Sequence, residues 1–138
     1  MPDRRLIALL VAGSLAGGAL LAGCGGDSGG GAEVTLSAAG ERGKAVADEQ
    51  GCFSCHTTDG SAGTGPTWEG LYGSEVELKG GETVTADDEY LRTANLHARD
   101  ETVDGYANIM PVYDGKLTDE QVVDLIAYLQ DLSPDPTS

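Results

Sequence analysis

The sequence predicts one small all-α domain, and three observations carry that reading. Thr118-Asp119-Glu120-Gln121 is a capping box, followed by Val122, Leu125, Ile126 and Leu129 at i, i+3, i+4 and i+7, the strongest helical pattern in the chain. Ser37 is a good N-cap for a second, shorter helix running to Gln50. The strand-like stretch from Glu75 to Thr85, with Val76, Leu78 and Val84 around Lys79-Gly80-Gly81-Glu82, amounts to a small surface hairpin with a Gly-Gly turn.

In chain order, the N-terminal segment reads as an export signal. Arg4 and Arg5 precede an apolar run from Leu6 to Ala22 that ends in Leu21-Ala22-Gly23-Cys24. Those last four residues look like a bacterial lipobox, in which Cys24 receives lipid and becomes the new N-terminus after cleavage. A transmembrane helix is the competing reading, but the run barely reaches the needed length and its glycines and serine suit it poorly. Secretion with Cys24 left as a free thiol is the other. The predicted organisation is a signal peptide over 1–23, a lipidated cysteine and Gly-rich tether over 24–35, one domain over 36–133 and a short tail over 134–138. The implied location is the extracytoplasmic face of a bacterial membrane, in the periplasm or at the cell surface, held by the lipid.

Of eight Lys+Arg and 23 Asp+Glu, the signal segment takes Arg4, Arg5 and Asp3; the remainder keeps six and 22, a formal net charge of −16. So acidic a surface makes nucleic acid and anionic lipid poor partners. It suits either steering toward a basic docking patch or solvation in a salty habitat.

The first helix has a thin apolar face, carried mainly by Ala45, Val46 and Ala47. Directly after it comes Cys52-Phe53-Ser54-Cys55-His56, a C-x-x-C-H motif of the kind that attaches haem c. Two thiols one helical turn apart can form thioethers to the two vinyl groups along one haem edge, and the next imidazole then reaches the iron. A bare C-x-x-C is also a zinc half-site or a dithiol pair, but zinc would need further ligands and the sequence holds no second Cys/His cluster. With Cys24 assigned to lipid and Cys52 and Cys55 to haem, no cysteine is left for a structural disulfide. A covalent apolar cofactor also supplies hydrophobic mass that a domain this small lacks.

Thr85 and Asp88 mark the start of a third helix through Leu96, with Tyr90, Leu91 and Ala94 available for burial. The iron then needs a sixth ligand or an open position. Met110 is the only methionine once Met1 leaves with the signal, and it stands in the non-helical run Tyr106-Ala107-Asn108-Ile109-Met110-Pro111. A lone methionine is often core filler, yet Pro111 stiffens its loop and its distance from His56 suits a return over the opposite haem face. The rival is His97, at the end of the third helix. A Met/His pair fills both axial positions, raises the potential relative to two imidazoles and argues against oxygen or peroxide chemistry.

These residues resemble a class I monohaem cytochrome c. Cys52 to His56, Gly65-Pro66-Thr67-Trp68-Glu69-Gly70-Leu71-Tyr72-Gly73, Ile109-Met110-Pro111 and Ile126-Ala127-Tyr128-Leu129 come in that family's order across the whole domain. The likeness is strongest to the cytochrome c domain of subunit II of caa3-type oxidases, which shares the Gly-Pro-Thr-Trp run and the hairpin; no copper-centre motif accompanies it here, so the resemblance is to a free-standing version. It implies a fold of three to five helices wrapped around one covalent haem, with His56 and Met110 as axial ligands. It also implies that the Pro66 carbonyl bonds the other imidazole nitrogen of His56, that Trp68 packs on the haem, and that Tyr72 is either pocket wall or simple packing. Gly43 and Tyr128 match the family's crossing of first and last helices; Ala47 stands where an aromatic residue is common, which leaves the closeness of that crossing open.

The implied function is electron transfer without bond chemistry, not enzymatic, with no small-molecule substrate. Its partners would be membrane-bound redox complexes, with electrons arriving from a quinol-oxidising complex and leaving to a haem-copper oxidase. The alternatives are a fixed haem relay in a larger respiratory or dehydrogenase complex, and a haem enzyme or gas sensor with an open sixth site.

Overall fold

The computed structural model describes residues 34–133. The signal segment 1–23, Cys24, most of the 24–35 tether and the 134–138 tail lie outside the described residues. Among the described residues no helix is long and apolar enough to cross a membrane.

Among the described residues three helices carry the fold, α1 (Ala38–Glu49), α2 (Asp88–Leu96) and α3 (Asp119–Asp131), with a single 3-10 turn at Cys52–Ser54. A two-stranded antiparallel hairpin, β1 (Glu75–Glu77) and β2 (Thr83–Thr85), pairs Glu75 with Thr85, Val76 with Val84 and Glu77 with Thr83. The predicted caps hold at both ends of the domain. The Ser37 hydroxyl accepts from the Gly40 N–H, and Thr118 and Gln121 satisfy each other's backbone donors as a capping box. At α2 the cap is Asp87, whose carboxylate accepts from the Tyr90 N–H at 2.9 Å, and not Thr85, which belongs to β2.

Helices α1 and α3 pack on each other, and the contact is close. A Cβ on Gly43 would be driven into the Asp124 carbonyl, so only glycine lets the two backbones approach this way. The buried stripe of α1 is Gly40, Gly43, Val46 and Ala47, whereas Ala45 is exposed. Glycines form half of that stripe, which is why reading apolar side chains alone placed Ala45 on it. The crossing is tight despite Ala47, which is wholly buried. The aromatic contact comes instead from Phe53 in the 3-10 turn, whose ring meets Tyr128 edge-on at 6.2 Å and Trp68 at 5.7 Å.

Polar contacts clamp the same pair. Arg42 donates from Nε and Nη2 to the two carboxylate oxygens of Asp124, at 2.8 and 2.6 Å, with Asp124 only 6% exposed. Ser37 donates through its N–H and hydroxyl to Asp131 at the far end of α3, both at 2.8 Å. Val122, Leu125, Ile126 and Leu129 are buried, as their spacing predicts, in a core that also holds Leu91, Trp68, Val76 and Leu78. The hairpin is therefore on the surface only along its outer face.

Candidate functional site

One cavity of about 310 Å³ opens between the 3-10 turn, the 64–71 loop, α2, the 98–113 segment and one turn of α3. Cys52, Cys55, His56, Pro66, Trp68 and Met110 all line it. Cys52 and Cys55 are not joined in a disulfide. Their turn follows directly from α1: Gly51 takes a left-handed conformation, and the Cys52 carbonyl accepts from the Cys55 and His56 N–H groups at 3.1 and 3.0 Å. Burial pushes the Cys52 thiol above its ordinary pKa.

His56 is held in one orientation. Its Nδ1 lies 2.8 Å from the Pro66 carbonyl oxygen. A carbonyl can only accept, so Nδ1 carries the proton and the Nε2 lone pair is left to face the cavity. Trp68, 4% exposed, stacks on the imidazole with centroids 5.0 Å apart and planes 23° apart. Gly65 presses against the ring so closely that a Cβ there would stand 2.6 Å from Cε1. Burial lowers the imidazole pKa, outweighing the Pro66 bond that raises it, so the ring is neutral at pH 7. A neutral, oriented imidazole with a free nitrogen is the form that binds a metal.

The other wall comes from the stretch between α2 and α3. Met110 lies there, half-buried, in the segment predicted to be non-helical. His97 does not share the cavity: it caps α2 and is exposed. Tyr72 does not line it either. It is half-buried against the core, its N–H donating to the Ser133 hydroxyl at 2.9 Å, and its neighbour Leu71 faces the cavity instead.

Among the lining residues not singled out from sequence, two are buried and carry polar groups. Tyr113 is buried with its hydroxyl beside the Cys52 thiol and donating to the Gln50 carbonyl at 3.3 Å. Asn95 is buried on α2, its side-chain amide donating to the Leu91 carbonyl at 2.7 Å, while its own carbonyl receives the Tyr113 N–H at 3.3 Å. A buried asparagine and tyrosine are weak sequence signals; the only hint is that residues 105–113 carry no charge in a chain so rich in acid.

Two thiols on one edge, a neutral imidazole facing inward and a thioether in the opposite segment form a donor set that fits haem. The family model for cytochrome c matches residues 40–133. The chain belongs to the cytochrome c family. No curated protein matches it. Membership implies a covalently bound c-type haem, with Cys52 and Cys55 at the attachment spacing, and an electron-transfer haem protein. Members of the family are typically electron carriers.

Proposed function

We propose that this cytochrome c is a membrane-tethered carrier of single electrons, in which Cys52 and Cys55 would hold the haem covalently and His56 and Met110 would ligate its iron. The observation that carries this reading is the placement of Met110 and of the Pro66-anchored His56 in one cavity, with His97 outside it. The haem supplies the Fe(II)/Fe(III) couple. The chain's contribution would be to fix the His56 ring, exclude water with Trp68, Leu71, Leu91 and Leu129, and offer His56 and Met110 as iron ligands so that no substrate binds.

Electrons would cross at the cavity mouth. Its exposed rim is Gly51, Ser54, Thr64, Glu101, Ala107 to Ile109 and Pro111, and Glu101 is the one charged residue in the lining. Ile109 is 57% exposed there. The Leu21-Ala22-Gly23-Cys24 sequence supports a lipid anchor at Cys24 on the extracytoplasmic face of the membrane. Tethering raises the effective concentration at membrane partners without tight binding. By the likeness to the oxidase-linked domain, those partners are a quinol-oxidising donor and a haem-copper oxidase acceptor. Ile109 also favours a second reading, a fixed relay whose rim is buried permanently against another subunit.

The test is the visible spectrum of the ferric protein. Wild type should show the weak long-wavelength sulfur-to-iron band, and Met110→Ala should lose it while His56 ligation persists. A wild type without that band would remove Met110 from the site.

A further inference from the structure

The hairpin lines no part of the cavity. It nevertheless grips the segment that carries Met110. On the edge of β1 away from β2, the Lys79 N–H donates to the Thr102 carbonyl and the Asp104 N–H donates to the Glu77 carbonyl, both at 2.8 Å, and Leu78 forms an antiparallel bridge with Val103. Leu78, 5% exposed, roots this pairing in the core, and Thr102 and Val103 face the cavity from the paired strip. Seven residues further on is Met110.

The downstream end of the same segment is tied to α2 by the Tyr113 N–H on the Asn95 carbonyl at 3.3 Å and the Asp114 N–H on the Leu96 carbonyl at 3.2 Å. Between these anchors the internal bonds are sparse: Tyr106 N–H to the Val103 carbonyl, Ile109 N–H to the Ala107 carbonyl, and the Asn108 amide to the Arg99 carbonyl. A loop pinned at both ends loses less entropy on closing over a cavity than one pinned at one end.

We propose that the β1–β2 hairpin is the positioning element for Met110, setting through its Leu78–Val103 edge pairing how readily the sixth ligand leaves the iron. This rests on Met110 being that ligand. The hairpin acts through backbone bonds, so it sets the fraction of time the loop is closed and an outside ligand must compete with that closed state.

Lys79→Pro tests the idea with little risk to folding. Lys79 is the second residue of the turn closed by the Gly81 N–H on the Leu78 carbonyl at 3.0 Å, a position where proline is favoured. The substitution deletes the backbone donor to Thr102, together with an exposed side chain that lines no part of the cavity. Leu78→Ala removes the buried root as well, and Val46→Ala, on α1 and away from the cavity, serves as the control for general destabilisation.

The measurement is imidazole binding to the ferric holoprotein, followed by loss of the sulfur-to-iron band. Lys79→Pro and Leu78→Ala should bind imidazole about fivefold tighter than wild type, the worth of about one backbone hydrogen bond. Val46→Ala should lower the unfolding midpoint and leave imidazole affinity unchanged. If all three variants bind imidazole like a wild type that shows the band, the positioning role is wrong while Met110 ligation stands. If the wild type shows no band, Met110 ligation fails and the hairpin's role fails with it.

Discussion

The α1–α3 crossing and the 98–113 segment hold this molecule together in opposite ways. The crossing is built from side chains: a glycine where two backbones meet, a bidentate Arg42–Asp124 pair, a serine clamp on Asp131 and a row of buried aliphatics. The segment is built from backbone bonds, with its carbonyls and amides pinned to β1 on one side and to α2 on the other. Side-chain interlock concentrates stability at a few residues. Backbone pinning leaves the residues themselves free to serve the cavity, and opening it costs only a few bonds. The two halves of one site are thereby placed on unequal supports: His56 follows the crossing, and Met110 stands on the segment.

The sharpest way to break that contrast is at Gly43. Gly43→Ala forces a methyl into the Asp124 carbonyl, and a clash with backbone cannot be relieved by a rotamer change. The expected cost is about 3 kcal/mol, at the upper end of overpacking, read from chemical denaturation of the holoprotein. The sulfur-to-iron band should persist until the helices unfold. A cost under about 1 kcal/mol would mean that the crossing yields easily and that its side chains are not where stability resides.

A smaller effect is expected from Asp124→Asn. The Arg42 guanidinium, by hydrogen bond and then by charge, holds the Asp124 carboxyl below its ordinary value, against the desolvation that would raise it. A depressed carboxyl stabilises the fold above its unfolded pKa, and that contribution is lost as pH falls below about 4. Asp124→Asn should therefore lower the thermal midpoint at pH 7 and flatten its decline below pH 4. An unchanged acid limb would show that the pair contributes nothing through its charge.

The same contrast explains what could be read from the sequence. Ser37, the Thr118–Gln121 box, the i, i+3, i+4 stripe of α3 and the Gly-Gly hairpin are local chemistry, and all four stand where their residues predict. Cys52, Cys55, His56 and Met110 reach one cavity because motif and order along the chain suffice to find them. The misreadings arose where tertiary geometry decides. Ala45 lost its place to glycines that have no hydrophobic signal, and Thr85 was drawn into a strand while Asp87 took the cap. Leu71 and Tyr72 are neighbours in a turn, and only their backbone directions tell which one faces the cavity. The pairing of Leu78 with Val103 is invisible in residue types, because any residue but proline can make those bonds.

The smallest effect separates the surfaces of the two regions. Ile109 on the segment and Val123 on α3 are both exposed apolar side chains, at 57% and 53%, so replacing either by glutamate should shift stability by no more than about 0.5 kcal/mol. Their kinetic consequences should differ. Ile109 stands on the rim of the cavity, whose one charge is Glu101, and if electrons leave there as proposed, a second carboxylate meets an approaching anion at that point. With ferricyanide as oxidant of the ferrous protein, Ile109→Glu should slow transfer by about threefold at low ionic strength, and the difference should vanish in about 1 M salt, where the Debye length falls to about 3 Å. Val123→Glu adds the same charge to the same acidic molecule and should leave the rate near wild type. Equal slowing by both would mean that the anion responds to net charge alone, and that this rim is not where electrons leave.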